Sequence, residues 1–171
     1  MKFDSVDSLR SEGFEGFRSV KELILSCSDV PTMKGNYLVL YLGVDPPHFL
    51  SKGVGGFFKR KDPNVDISQL VASWVNGAIV IYIGQVGGVI GYKRPLRILK
   101  NRISEYLKFG QGKPVGHYGG RYIWQIQEHQ DLVLCWRPCI NDKEDPKMIE
   151  SDLLGEFKAI YGKSPFANLP K

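Results

Sequence analysis

The chain has 171 residues, of which 43% are hydrophobic, so it has the length of one ordinary domain and enough apolar material for a buried core. It contains no run of about 18 apolar residues and no export signal at its start, so we expect a cytoplasmic protein that does not enter the membrane. The net charge is +5, and the odd number of cysteines (Cys27, Cys135 and Cys139) indicates free thiols, which argues against a secreted, disulfide-stapled fold.

The N-terminal segment has a weak structural signal. Residues 1–16 are polar, contain glycines and show little hydrophobic periodicity, which predicts a loosely ordered arm. Residues 19–26 are predicted to form a short helix, because their apolar side chains share one side and Pro31 follows. We therefore expect residues 1–30 to be an arm with a short helix, and residues 31–171 to be the main domain.

Two apolar runs, residues 37–42 and residues 78–83, have the character of β-strands. Both are rich in β-branched and aromatic residues, and both are bounded by glycine, which favours two strands of one sheet. Neighbouring strands would bring the phenols of Tyr37 and Tyr82 close together.

A long segment, residues 43–77, separates these two strands and exceeds what a hairpin connection requires. Its residues 52–56 and 59–63, rich in glycine and lysine, are typical of exposed loops, whereas residues 67–75 are predicted to form a helix. The sequence leaves open whether this insertion contacts a substrate or lies at the periphery.

A basic helix is predicted at residues 95–107, because Pro95 suits a first helical turn and apolar residues then recur about every 3.6 positions. Arg102 and Tyr106 lie one turn apart on one flank of the apolar stripe, where an arginine stem can pack while its guanidinium faces a cleft. Arg97 lies on the opposite flank. The glycines before this helix lack the spacing of a dinucleotide-binding loop, which argues against that function.

Basic residues are concentrated in and around this helix. Glu105 is the one acid between residues 93 and 121, and such a surface suits a polyanion such as DNA, although a solvated helix face is the alternative. Residues 122–126 and 132–136 are predicted to be two further strands. The candidate DNA-binding residues are Lys93, Arg94, Arg97, Lys100, Lys108, Lys113, His117 and Arg121. The last two of these border a glycine-rich turn, and packing within that turn is their alternative role.

The last predicted helix begins at Asp145-Pro146, an N-cap acid followed by proline, and ends at Gly162. Glu150 falls inside the apolar arc of this helix, where a carboxylate is costly unless it is paired or binds a metal. A nearby arginine or lysine is therefore the alternative to a metal ion. The predicted buried arc contains Ile149, Leu153, Leu154, Phe157 and Ile160.

Several motifs follow one another in a set order: Gly35-Asn36-Tyr37, Tyr82-Ile83-Gly84, Arg102 with Tyr106, Glu150, and Asn168. In this order the chain resembles the GIY-YIG nuclease superfamily, which includes homing endonucleases, some restriction enzymes and the incision subunit of bacterial nucleotide excision repair. The resemblance covers roughly residues 35–169. Asn36 replaces the isoleucine or valine usual in the first motif, and Gln85 stands where repair-type members carry a lysine.

The resemblance implies an α/β (α+β) fold with a small, mainly antiparallel central sheet of about three principal strands flanked by helices. In this fold, residues 43–77 form an insertion between the first two motif strands. The implied partner is DNA, and a homodimer or a protein partner that confers specificity remains open.

The implied activity is that of a metal-dependent endonuclease that hydrolyses phosphodiester bonds in DNA. Glu150 would hold a single Mg²⁺ or Mn²⁺ ion, and Tyr37, assisted by Tyr82, would position or deprotonate the attacking water. Arg102 would stabilise the charge of the transition state. The predicted catalytic residues are Tyr37, Tyr82, Arg102, Tyr106, Glu150 and Asn168.

A second hypothesis is a catalytically inactive nucleic-acid-binding module on the same scaffold. The irregular Asn36 in the first motif and the insertion before Tyr82 favour this alternative. Cleavage assays with and without a divalent metal separate the two hypotheses.

Overall fold

The computed structural model describes residues 2–87, 97–141 and 143–169, without the side chains of residues 118 and 119. The helices are α1 (Val6–Ser11), α2 (Val20–Leu25), α3 (Ile67–Ser73), α4 (Leu99–Gly110) and α5 (Pro146–Tyr161). The strands are β1 (Glu15–Ser19), β2 (Gly35–Leu40), β3 (Val80–Val86) and β4 (Val133–Pro138), and a 3-10 stretch covers Tyr118–Gln125.

The four strands form one antiparallel sheet in the order β1-β4-β2-β3. The predicted fold class, an antiparallel sheet flanked by helices, is confirmed, and the sheet has one strand more than the three expected. β2 lies between β3 and β4, with Tyr37 opposite Gly84 on one side and Trp136 on the other. All six residues of β2 are buried, which makes this strand the centre of the fold.

The additional strand, β1, comes from the segment that was expected to be a loosely ordered arm. β1 pairs with β4, and Phe3, Leu9 and Phe14 of this segment are buried. The arm is therefore part of the packed structure. Its few apolar residues are widely spaced, so neither a helical nor a strand period is visible in the sequence.

Side chains alternate across β2, so the sheet has a separate apolar core on each face. Tyr37 and Val39 pack on the face that α4 covers. Leu38 and Leu40 pack on the opposite face together with residues of α5. The phenol of Tyr37 consequently lies on the α4 face, and the neighbouring Asn36 lies on the α5 face.

The prediction of a strand at residues 122–126 is wrong, because residues 122–125 belong to the 3-10 stretch Tyr118–Gln125 and Ile126 forms only an isolated bridge with Phe49. Every residue from Tyr122 to Ile126 is buried, without the alternation of a half-exposed strand. Aromatic and β-branched residues here reflect burial against the core rather than an extended backbone. The predicted helix within the insertion is confirmed as α3, and the predicted strand at residues 132–136 as β4.

The helix predicted at residues 95–107 begins later, at Leu99, and continues to Gly110. Arg97 is exposed and precedes the helix, while Lys93, Arg94 and Pro95 lie outside the described residues. α5 begins after its Asp145 cap and ends before Gly162 as predicted, although Ile160 is 53% exposed rather than buried. In the described part of the chain, no helix combines the length and apolar character needed to cross a membrane.

Candidate active site

Two neighbouring strands bring the phenol rings of Tyr37 and Tyr82 together. Tyr82 lies opposite Val39, two positions along β2 from Tyr37, and the two ring centroids are 5.9 Å apart. Gly84 lies directly opposite Tyr37, and any side chain at this position would collide with the Tyr37 ring. The glycine of the second motif therefore provides the space that the tyrosine of the first motif occupies.

Helix α4 adds Tyr106 to the two phenols. Its ring stacks on Tyr82 at 6.3 Å with an interplanar angle of 16°, and meets Tyr37 edge-on at 6.5 Å. Tyr106 is fully buried. The third tyrosine thus fixes the orientation of the other two, because aromatic pairs have preferred offset and edge-on geometries.

Arg102 lies one helical turn before Tyr106, as the sequence predicts. Its guanidinium interacts with the phenols of Tyr37 and Tyr82 and also with the Glu105 carboxylate, 3.5 Å away. The side chain is 22% exposed. The arginine therefore contributes a permanent positive charge beside two phenol oxygens and still reaches the surface.

His117 belongs to the same group of rings, which the sequence did not indicate. Its Nε2 atom lies 3.2 Å from the Tyr37 hydroxyl, and its ring meets Tyr106 edge-on at 4.6 Å. His117 is only 1% exposed, so its ring is not displayed on the surface as a DNA-binding residue would be. The glycines on either side of residues 117–118 indicated that another part of the chain comes close to this turn. They did not indicate that this part is Tyr37.

Burial and charge determine the protonation of this group. Burial, together with the neighbouring phenol of Tyr82, raises the pKa of Tyr37 well above its usual range, while Arg102 opposes this effect. Burial also raises the pKa of Tyr82, and the Arg102 charge and a hydrogen bond from Tyr37 counteract it. Burial and the Arg102 charge lower the pKa of His117 well below its usual range. At neutral pH both phenols therefore keep their protons and the imidazole is uncharged.

Two polar atoms in this group have no hydrogen-bond partner among the described residues, namely the Tyr106 hydroxyl and Nδ1 of His117. A buried polar group without a partner costs about 1–3 kcal/mol. Each such group in a native protein needs an explanation, and a catalytic role is one of them. Both atoms belong to rings that contact Tyr37.

Glu150 projects from α5 and is half-buried. Its negative charge contributes to the raised pKa of Tyr82, after the larger effect of burial, so the carboxylate acts on the same phenol as Arg102. In the described part of the chain, no three His, Cys, Asp or Glu side chains converge on one point. A single carboxylate with water and substrate oxygens is a usual way to bind Mg²⁺, so Glu150 fits a site of this kind.

Two asparagines attach the surrounding elements to the sheet. The Asn168 side chain accepts a hydrogen bond from the Ile83 amide at 2.8 Å and donates to the Ile83 carbonyl at 2.7 Å. The Asn36 side chain donates to the Pro146 carbonyl at 2.9 Å, in the first turn of α5. The irregular residue of the first motif therefore holds the helix that carries Glu150.

No protein-family model, no curated protein and no solved structure matches this chain. The function is therefore inferred from the residues of the site and their geometry.

The remaining candidate DNA-binding residues lie along α4 and beyond its end. Lys108 and Lys113 are exposed, and Lys100 is half-buried. Arg121 is also half-buried, with its guanidinium 5.1 Å from the centroid of the Tyr122 ring. Lys100 and Lys108 belong to α4, Lys113 follows the end of that helix, and Arg121 belongs to the 3-10 stretch.

Proposed function

We propose that this protein is a metal-dependent endonuclease that hydrolyses phosphodiester bonds in DNA by chemistry similar to that of the GIY-YIG nucleases. One observation carries the proposal: the phenols of Tyr37 and Tyr82 interact with each other and with the Arg102 guanidinium. These three groups come from β2, β3 and α4. A core without such a function would be expected to fill this space with apolar side chains.

Arg102 is the group that stabilises negative charge in this mechanism. A guanidinium is always protonated and presents donors in a planar fork that matches phosphate oxygens. Because the neighbouring phenols and the Glu105 carboxylate hold it, the guanidinium has little freedom to lose when the transition state forms. Arg102 therefore acts on the charge that develops during cleavage.

Tyr82 is the phenol that contacts the attacking water. Tyr82 is 8% exposed, whereas Tyr37 is completely buried. Tyr37 and Tyr82 share a hydrogen bond, and the Tyr37 hydroxyl also lies beside Nε2 of His117. In this arrangement Tyr37 and His117 position Tyr82, and the protonated Tyr82 hydroxyl orients the attacking water.

Glu150 would hold a single Mg²⁺ or Mn²⁺ ion. When bound, such an ion polarises the scissile phosphate and stabilises the departing oxygen. The half-buried position of the carboxylate on α5 and its electrostatic effect on Tyr82 support this assignment.

The proposal is tested by incubating the purified protein with supercoiled plasmid and with branched and single-stranded DNA, in Mg²⁺, Mn²⁺ or EDTA. We expect cleavage that depends on the metal and falls by on the order of 10² to 10³ in a preparation of the Arg102→Ala variant, which controls for contaminating nucleases. Cleavage at the parental rate in that variant would show that the activity does not belong to this site.

The second candidate function is a nucleic-acid-binding module without catalysis. The complete burial of Tyr37 favours it, because a phenol without exposure cannot meet water directly. The same assay decides between the two. Binding of duplex or branched DNA without cleavage in any divalent metal would support the binding module.

The difference in exposure between the two phenols gives a prediction. Tyr82→Phe should reduce turnover by roughly 10², because losing the hydroxyl that orients the water misplaces the nucleophile. Tyr37→Phe should reduce it less, because that hydroxyl acts through Tyr82. Single-turnover rates at saturating protein, with melting temperatures as the control for folding, measure both effects. A larger loss in Tyr37→Phe than in Tyr82→Phe would reverse the two roles.

A further inference from the structure

The insertion between β2 and β3 contains a tight hairpin whose end consists of cations. Phe58 and Lys61 form an isolated antiparallel bridge, and the Lys61 amide donates to the Phe58 carbonyl at 3.0 Å. The two residues between them, Lys59 and Arg60, have φ values of 51° and 61°. We call residues 58–61 the basic tip.

The backbone of the basic tip is strained. Two consecutive left-handed residues are the requirement of a two-residue type I′ turn, for which Asn-Gly is the favoured pair. Lys59 and Arg60 instead place two long side chains in a conformation that L-residues avoid. Strain of this kind in a structure points to a function of the residues that carry it.

The base of the insertion is held firmly to the rest of the molecule. The buried amide of Gln125 donates to the carbonyls of Leu50 and Val65 at 2.9 Å each and accepts from the Val65 amide at 2.8 Å. The Gly56 amide donates to the Phe109 carbonyl at the end of α4, also at 2.8 Å. The basic tip is therefore presented by an anchored loop, which lowers the entropy lost on binding.

The basic tip also lies next to the tyrosine group. A methyl group at Gly116 would be 3.4 Å from the Phe58 ring, and Gly116 is adjacent to His117 in the chain. Lys113, at the end of α4, approaches Gly56 so closely that a side chain on that glycine would collide with the Lys113 carbonyl. The basic tip therefore lies beside the segment that joins the end of α4 to His117.

The charge of this surface suits a polyanion. Lys59, Arg60 and Lys61 are all exposed, and the Lys59 ammonium lies 5.5 Å from the centroid of the Phe58 ring. The cationic groups at this exposed turn can contact the phosphates of the DNA backbone.

We propose that the basic tip binds the phosphate backbone of duplex DNA beside the tyrosine group and so determines where the duplex lies relative to Tyr82. This inference rests on the proposed function for the identity of the polyanion. It assigns a role to the insertion that is separate from the chemical step, because the tip contributes binding and register rather than a reacting group.

The test replaces Lys59-Arg60 by Asn-Gly in the full chain. This change removes two positive charges, which should weaken DNA binding. It also relieves the strained turn, which should make the fold more stable. Lys59→Gln/Arg60→Gln removes the same charges without the new turn. The control is Lys2→Gln/Lys158→Gln, two exposed lysines next to the Phe3–Phe157 contact on the opposite face of the sheet.

Affinity for a duplex is measured in EDTA, which prevents metal-dependent cleavage, as a function of salt concentration. We expect both tip variants to bind about tenfold or more weakly at about 0.15 M salt and their log–log salt slope to fall by about two, since each phosphate contact contributes about 0.9. The Asn-Gly variant should melt at a higher temperature than the parent. The control should bind like the parent.

Each other outcome has a definite meaning. Parental affinity in the tip variants, or an equal loss in the control, overturns the assignment of the tip and leaves the nuclease proposal standing. If the tip variants lose more affinity for single-stranded DNA than for duplex DNA, the choice of duplex as the partner is overturned. Weakened binding of the tip variants in a protein that cleaves nothing supports the tip and overturns the nuclease. Failure of the parent to bind DNA overturns both.

Discussion

Glu150→Gln is expected to abolish metal-dependent cleavage of DNA while leaving the fold intact. The substitution keeps the shape and polarity of the side chain but removes the anionic oxygen that a hard divalent cation requires. Because Glu150 is half-buried on a helix with intact caps at both ends, an amide at this position is compatible with the same packing. The loss should therefore concern the metal and not the stability of α5.

The measurement is the initial rate of plasmid nicking over a full Mg²⁺ titration, with the melting temperature of each variant recorded in parallel. Asp152→Asn provides the matched control, because Asp152 is an exposed carboxylate on the same helix and makes the same change of charge. We expect the control to cleave at the parental rate. Parental cleavage by Glu150→Gln at any Mg²⁺ concentration would remove Glu150 as the ligand.

Arg102→Ala should reduce the rate of cleavage by on the order of 10² to 10³, the usual loss for one preorganised donor in a transition state. DNA affinity should change much less, because the guanidinium is largely buried beside the phenols of Tyr37 and Tyr82 and only part of it faces the surface. The substitution should therefore lower the rate of cleavage rather than the affinity for DNA. Single-turnover rates and equilibrium binding in EDTA measure the two quantities separately.

Arg97→Ala is the matched control for this helix. Arg97 is exposed and precedes α4, so it cannot reach the phenols in the way Arg102 does. We expect Arg97→Ala to weaken binding slightly and to leave the rate of the bound complex unchanged. A greater loss of turnover in Arg97→Ala, or an effect of Arg102→Ala on binding alone, would contradict the role given to Arg102.

The parts of the fold that the sequence predicted well are those in which local signals and burial agree. α5 has an acid cap, a proline in its first turn and a glycine after its last turn, and its bounds were predicted closely. The strands that carry Tyr37 and Tyr82 were identified by their composition, although the observed bounds are shifted by two or three residues. Where such patterns are strong, one local structure is much more favourable than its alternatives.

The elements that were missed depend on partners distant in the sequence. β1 is stable because it pairs with β4, and nothing in residues 15–19 themselves specifies a strand. The stretch Tyr118–Gln125 contains strand-forming side chains, yet it forms a 3-10 structure in which Tyr122, Ile123 and Trp124 all pack into the core. Tertiary contacts override local propensity in both cases.

The sequence predicted the contacts between candidate-site residues that lie on one helix or on adjacent strands. It did not predict contacts between residues that only the complete fold brings together. The pairing of Arg102 with Tyr106 follows from their spacing on a helix, and the meeting of Tyr37 and Tyr82 follows from adjacent strands. The position of His117 beside Tyr37 joins residues 80 apart and requires the fold itself. Its assignment as a DNA-binding residue followed from its charged neighbours in the sequence.

The hydrogen bond from Asn36 to the Pro146 carbonyl has a consequence for the order in which the molecule is completed. It joins residues 110 apart in the chain, and contacts between such distant residues form late in folding. The phenols and the guanidinium lie in the part of the chain before residue 107, whereas the carboxylate helix docks only when this long loop closes. In the proposed nuclease, the metal ligand would therefore be the last part of the site to be put in place, and Asn36 would be the residue that couples its arrival to the sheet.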